Sequence, residues 1–209
     1  MTYAKATASS SEGALSREQI LAAAEDVFRR FGPAKTTVVD IARLLGMSHG
    51  SVYRHFASKA ALRNAVIEIW LQRYADTLVA ITTQAGSATE RLRTWLETLR
   101  SMKVEKFKQE TELFATYHDL VKDSEPVVAN YRKQLASQVE TILRSGMASG
   151  EFSIRDARSK ANAILDATTR FHHPWHASDW QKRDVDAAFQ GVWELILGDI
   201  LVPASTEDV

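Results

Sequence analysis

Residues 36–59 read TTVVDIARLLGMSHGSVYRHFASK, and their pattern predicts two short amphipathic helices joined by a tight glycine turn. Thr37 offers a hydroxyl to the free N–H groups of a first turn, and Asp40 stands near the positive end of that helix. Val38, Ile41, Ala42 and Leu45 recur with helical period and mark the face turned to a core. Gly46 stands where the chain must leave the helix through a left-handed backbone, which a residue without Cβ adopts at little cost. Ser48 offers a second N-cap. The helix after it turns Val52 and Phe56 inward and leaves His49, Ser51, Tyr53, Arg54 and His55 on its other sides. Ser58 then caps a third helix that opens with Lys59. Such a helix fits the major groove of B-DNA: side chains of its early turns meet base edges, while hydroxyls, imidazoles and N–H groups hold phosphates. The competing reading of Tyr53, Arg54, His55 and Lys59 is an ordinary solvated helix face.

Together with the preceding helix, ILAAAEDVFRRFG at residues 20–32, this segment resembles the N-terminal domain of the TetR family of bacterial transcriptional regulators. The motifs that carry the resemblance are that helix, TTVVDIARLLGMS, and GSVYRHFASKAAL, about the first third of the chain. The resemblance implies that Thr37 caps its helix over a phosphate, that Ser48, His49, Gly50, Ser51 and Arg54 approach bases, and that Tyr53, His55 and Lys59 hold phosphates. It also implies that the C-terminal helices enclose an effector pocket and that the last two helices of each subunit form a four-helix dimer interface.

The 209 residues, 45% of them hydrophobic, can bury one substantial core and a small satellite domain. No long uninterrupted apolar run or apolar signal core is present, so a soluble cytoplasmic protein without membrane contact is expected. The absence of cysteine excludes disulfides, thiolate metal sites, cysteine nucleophiles and cysteine-ligated zinc fingers. Net charge is zero, but residues 1 to 60 hold eight basic against five acidic side chains, a net of plus three. That modest asymmetry points to DNA affinity built from a paired, positioned interface and not from a general positive field. A dimer serves this need, because two reader helices related by a two-fold axis engage successive major-groove faces of a palindrome.

Beyond the reader, helical periodicity predicts elements from Ser58 to about Ile81, over 89–108, over 110–121, from Glu125 to about Gly146, over 154–171 and over 183–201. Ser16 caps the first helix, whose stripe of Ile20, Leu21, Ala24, Val27, Phe28 and Phe31 reads as core. In the last helix Val185, Ala188, Phe189, Val192, Trp193, Leu195, Ile196 and Ile200 wrap beyond one stripe, which predicts burial on two sides, one against a second subunit. No strand-period run is found, so the chain reads as all-α. An N-terminal three-helix helix-turn-helix domain at 15–60 precedes a larger ligand-binding and dimerisation bundle at 61–202, with flexible segments at 1–14 and 203–209.

The candidate effector pocket draws on Trp95, Phe107, Phe114, Tyr117, Tyr131, Phe171 and Trp175, with His118, Asp166, Arg170 and His173 as polar anchors; for most of the aromatics the alternative is core packing. His118, Asp166 and His173 form a candidate metal set, against which His173 before Pro174 also reads as a helix-end cap. The resulting expectation is a ligand-responsive homodimeric repressor of a palindromic operator, with an unidentified small-molecule effector and no required cofactor. The alternatives are an activator or metal-responsive regulator of the same fold, a helical interaction module, or an enzyme. The enzyme reading lacks a phosphate-binding glycine loop, a nucleophile elbow and an HExxH signature.

Overall fold

The computed structural model describes residues 16–32, 35–109 and 124–202, and all their elements are helical apart from one bridge between Phe152 and Leu201. The helix expected at 110–121 lies outside these residues, as do Phe114, Tyr117, His118 and the two terminal segments. Helix α1 (Arg17–Phe31) opens with a capping box: the Ser16 hydroxyl accepts the Gln19 N–H at 3.3 Å, and the Gln19 amide oxygen accepts the Ser16 N–H at 2.8 Å. Its inward face packs with Val38, Ile41 and Ala42 of α2 (Val38–Leu44), Val52 of α3 (His49–His55) and Phe56 just beyond it. Leu62, Ala65 and Val66 from the start of α4 (Lys59–Val79) close this small core. Phe31 corrects the sequence reading: it is 62% exposed, because at the last turn of α1 its side chain falls beyond the layer that α2 and α4 cover.

Helix α4 belongs to both cores, since Leu78 near its other end lies in the larger one. A 3-10 turn at Ala80–Thr83 follows, then α5 (Ala88–Gln109), α6 (Glu125–Ser149), α7 (Ala157–Ala167), the single-turn α8 (Thr169–His172), a 3-10 segment at Pro174–Asp179 and α9 (Val185–Ile200). Their common core is built on Leu92, Trp95, Leu99, Val139, Ile142, Leu143, Phe171, Phe189 and Trp193, each large side chain contributing about 1.5–3 kcal/mol on burial. The first N–H groups of α5 are capped from another element: the Glu151 carboxylate accepts from Ala88 at 2.9 Å and Thr89 at 3.1 Å. Helix α6 ends through Gly150 at φ +78, which lets the N–H groups of Glu151 and Phe152 turn back to the Gly146 carbonyl.

The expected single helix over 154–171 is two helices. Asp156 starts α7 by accepting the N–H groups of Arg158 and Ser159. At Thr168, where the helix breaks, the N–H and the hydroxyl both bond the Ile164 carbonyl, at 3.0 and 2.8 Å. Helix α9 lies on α5 through the Arg100–Asp186 ion pair and the Arg93–Gln190 bond, and on α7 through Lys160–Asp199. Among the described residues no helix is long and apolar enough to cross a membrane.

Candidate nucleic-acid interface

The two short helices are each fixed at the N-terminal end by a side chain that bonds within its own first turn. Thr37 accepts the Asp40 N–H at 3.2 Å, while its own N–H and hydroxyl donate to the Asp40 carboxylate at 2.9 and 2.7 Å. These bonds to Thr37, with Arg43 and Lys59 nearby, hold the Asp40 carboxyl below the usual carboxylate range. Helix α2 ends in a Schellman arrangement: Met47 N–H bonds the Ala42 carbonyl at 2.9 Å and Gly46 N–H bonds the Arg43 carbonyl at 3.1 Å. Gly46 sits at φ +64, the left-handed conformation expected for it.

On α3, the Ser48 hydroxyl accepts the Ser51 N–H at 3.3 Å and lies 3.0 Å from the Ser51 hydroxyl, which in turn accepts from the Arg54 guanidinium at 3.0 Å. His49 and Tyr53 meet edge to face, ring centroids 6.5 Å apart. Phe56 ends the helix in an extended conformation, its ring buried under the Arg17 guanidinium at 5.0 Å. Lys59 opens α4, whose N-terminus Ser58 caps by accepting the Ala61 N–H at 3.0 Å. Thr37, Ser48, His49, Gly50, Tyr53, Arg54, His55 and Lys59 are exposed and Ser51 is half-buried. The structure thus gathers the nine residues at the exposed starts and outer sides of three consecutive helices.

The reader is tied to the connector by a two-pronged ion pair: both Arg73 Nη atoms of α4 donate to the Glu25 carboxylate of α1, at 2.8 and 2.9 Å. Burial raises the Glu25 pKa, but the bonds and charge of Arg73 outweigh it and leave the carboxyl below its ordinary value. Within the bundle, Trp95 is fully buried and donates Nε1–H to Gln138 at 2.9 Å, and Phe171 stacks edge to face on Phe189; both are core. Phe107 packs edge to face on Trp180. Trp175, expected to line the pocket, is 67% exposed because the 3-10 turn beginning at Pro174 carries it outward.

Arg170 is engaged with Asp179 at 3.2 Å. Asp166 is exposed and accepts from Arg132 at 2.8 Å, while His173 caps the 3-10 segment by accepting the Trp175 N–H at its Nδ1. Among the described residues, no three of His, Asp and Glu converge as a metal-holding group. Tyr131 is half-buried and stands near a residue that the sequence did not single out, Lys103 of α5. Lys103 is 4% exposed, its Nζ 3.7 Å from the Tyr74 ring centroid on α4 and 5.2 Å from that of Tyr131 on α6. Burial brings its pKa from 10.5 to about 7. Burial and then the Lys103 charge lower His172 to about 3, so that imidazole is neutral.

Residues 20–66 match the model of bacterial regulatory proteins of the tetR family, and residues 88–193 match that of the tetracyclin repressor-like C-terminal domain. The chain is 46% identical over 52 residues to the HTH-type transcriptional regulator TtgR of Pseudomonas putida, a match that spans 25% of each chain. It is 28% identical over 169 residues, 79% of each chain, to the HTH-type transcriptional repressor KstR2 of Rhodococcus jostii. The fold is shared with the fatty acid degradation regulator FadR of Bacillus halodurans, at TM-score 0.62 and 19% identity over 86% of this chain and 93% of that one. FadR of Bacillus subtilis in complex with stearoyl-CoA matches at TM-score 0.61 and 19% identity, over 87% and 98% of the two chains.

Proposed function

The chain belongs to the TetR family of bacterial regulatory proteins, and we propose that it is a DNA-binding transcriptional repressor, acting as a homodimer on a palindromic operator and released by a small organic effector. Family membership places it among regulators of transcription, which sets aside the enzyme reading. The observation that carries the proposal is the capped two-helix reader, with its polar, basic and aromatic face from Ser48 to His55 open to solvent beside Lys59. In this reading Ser48, His49, Gly50, Ser51 and Arg54 approach base edges, and Thr37, Tyr53, His55 and Lys59 hold phosphates on either side.

The dimer reading draws on α9. Leu195 is 75% exposed, and Gly191 and Gly198 flank it with open space above them, so among the described residues nothing covers this outer face of α9. The effector reading draws on the bundle of α4, α5 and α6, and on the FadR neighbour of the same fold that is in complex with stearoyl-CoA. An effector that favours a conformation with mis-spaced readers would draw the dimer off its operator, with α4 as the mechanical link.

The test is selection of bound sequences from a random DNA pool, followed by titration of the winner with Lys59→Ala and Arg54→Ala. The expected winner is a palindrome. Lys59→Ala should weaken binding to all sequences alike, whereas Arg54→Ala should also relax base preference, at a cost of about 1–3 kcal/mol. Equal losses on every sequence for both variants would overturn the division of roles, and no enriched sequence would overturn the operator reading.

A further inference from the structure

We propose that the effector is a small organic carboxylate, whose charge is received by Lys103 between the rings of Tyr74 and Tyr131 and whose apolar body lies in the bundle. This rests on the effector-responsive reading above and assigns its ligand class. Lys103 projects from α5 into the interior, where two ring faces from α4 and α6 stand around its Nζ. Among the described residues no carboxylate lies within 4 Å of that nitrogen, and burial alone accounts for its lowered pKa. His172, the nearby titratable group of α8, is neutral and supplies no counter-charge.

A buried ammonium in aromatic surroundings is strongly disfavoured unless an anion accompanies it. A single carboxylate balances one ammonium, whereas a dianion such as a phosphate monoester would bury surplus negative charge. The apolar surroundings, with Met102 and Tyr131 packed on the same core, suit a hydrocarbon or aromatic body. The position also explains how occupancy would reach the reader. Tyr74 lies on the connector helix one residue from Arg73, which holds Glu25 of α1. An anion that draws Nζ from the Tyr74 ring alters what holds α4 in place.

The test is calorimetric titration of the full chain with acetate, hexanoate, decanoate and phenylpropanoate, each against its primary amide, repeated with Lys103→Met. The expected result is that at least one acid binds about ten- to a hundredfold more tightly than its amide, the range of a charge-assisted bond. That preference should vanish in Lys103→Met, whose far-ultraviolet circular dichroism should match that of the parent. Amides that bind as well as the acids, a preference that survives in Lys103→Met, or no acid bound at all would overturn the proposal. The same preparations separate the two readings: acid binding without any DNA binding refutes the regulator reading alone, and DNA binding without acid preference refutes this one alone.

Discussion

Replacing Lys103 with methionine should make the protein more stable, an unusual direction for a substitution in a core. A pKa brought from 10.5 to about 7 by burial corresponds to about 5 kcal/mol at about 1.36 kcal/mol per pH unit. Giving up the attraction between the ammonium and the two ring faces offsets about 1 kcal/mol. Methionine fills similar space, so the gain should be about 3–4 kcal/mol in the pH range where Lys103 is charged in both states. The sign follows from proton counts. Below about pH 7 folded and unfolded chains both carry the proton, and the folded state bears the full cost. Between about 7 and 10.5 the unfolded chain holds a proton that the folded one has released, so parent stability rises with pH and the advantage of Lys103→Met shrinks. Urea unfolding of both proteins at equal concentration, at about pH 6, 8 and 9, should show the gain falling by about 1.4 kcal/mol per unit above 7. Lower stability in Lys103→Met would mean that the chain itself supplies a carboxylate to the ammonium, and a gain independent of pH would mean that packing, not charge, is responsible.

Arg73→Ala should cost about 1 kcal/mol at neutral pH, a figure reduced for its exposed guanidinium. Because Glu25 has a lowered pKa, that contribution is present above its unfolded value and lost as pH falls through the lowered folded one; unfolding curves of parent and variant should converge in acid below the ordinary glutamate range, and a constant difference would remove the ion pair as the cause. Leu195→Glu should weaken the proposed self-association at least about a hundredfold by burying a carboxylate, with helicity unchanged; sedimentation that shows the variant associating as the parent does would overturn this face as the interface. A Cβ on Gly146 would overlap the Phe152 ring and press on Ala88, so Gly146→Ala should lower stability by about 2 kcal/mol in denaturant titration, and a neutral result would show that Phe152 moves freely.

The reader was legible because its determinants act within four residues. Thr37, Gly46 and Ser48 each set a helix end through bonds to their own turn, so residue type and spacing were enough to locate them. Phe31 and Leu195 were harder, since periodicity assigns a side chain to a face but not to what covers that face. The break at Thr168, where the backbone leaves the helical conformation at φ −94 and ψ 0, is not encoded in the apolar pattern around it. Lys103 was hidden within MKVEKFK, a run of charges that resembles a solvated surface. The signal was there: four residues after Leu99 and eight after Trp95, Lys103 falls on the buried stripe of α5. The exposure of His49, Tyr53, Arg54 and His55 on α3 was readable from sequence; how Glu25 and Arg73 join across 48 positions was not, because that pairing exists only once the chain has folded.

Gln138 constrains the manner in which the proposed switch could work. Its one side-chain amide accepts from Trp95 of α5 and donates to the Ala75 carbonyl of α4, each at 2.9 Å, so three helices meet at a single planar group that cannot stretch. A connector sliding gradually past α6 would strand a buried donor or acceptor well before the next carbonyl came into reach. Its motion should therefore be a discrete click between two registers and not a continuous drift, giving a response to effector that is thresholded in each molecule and graded only across the population.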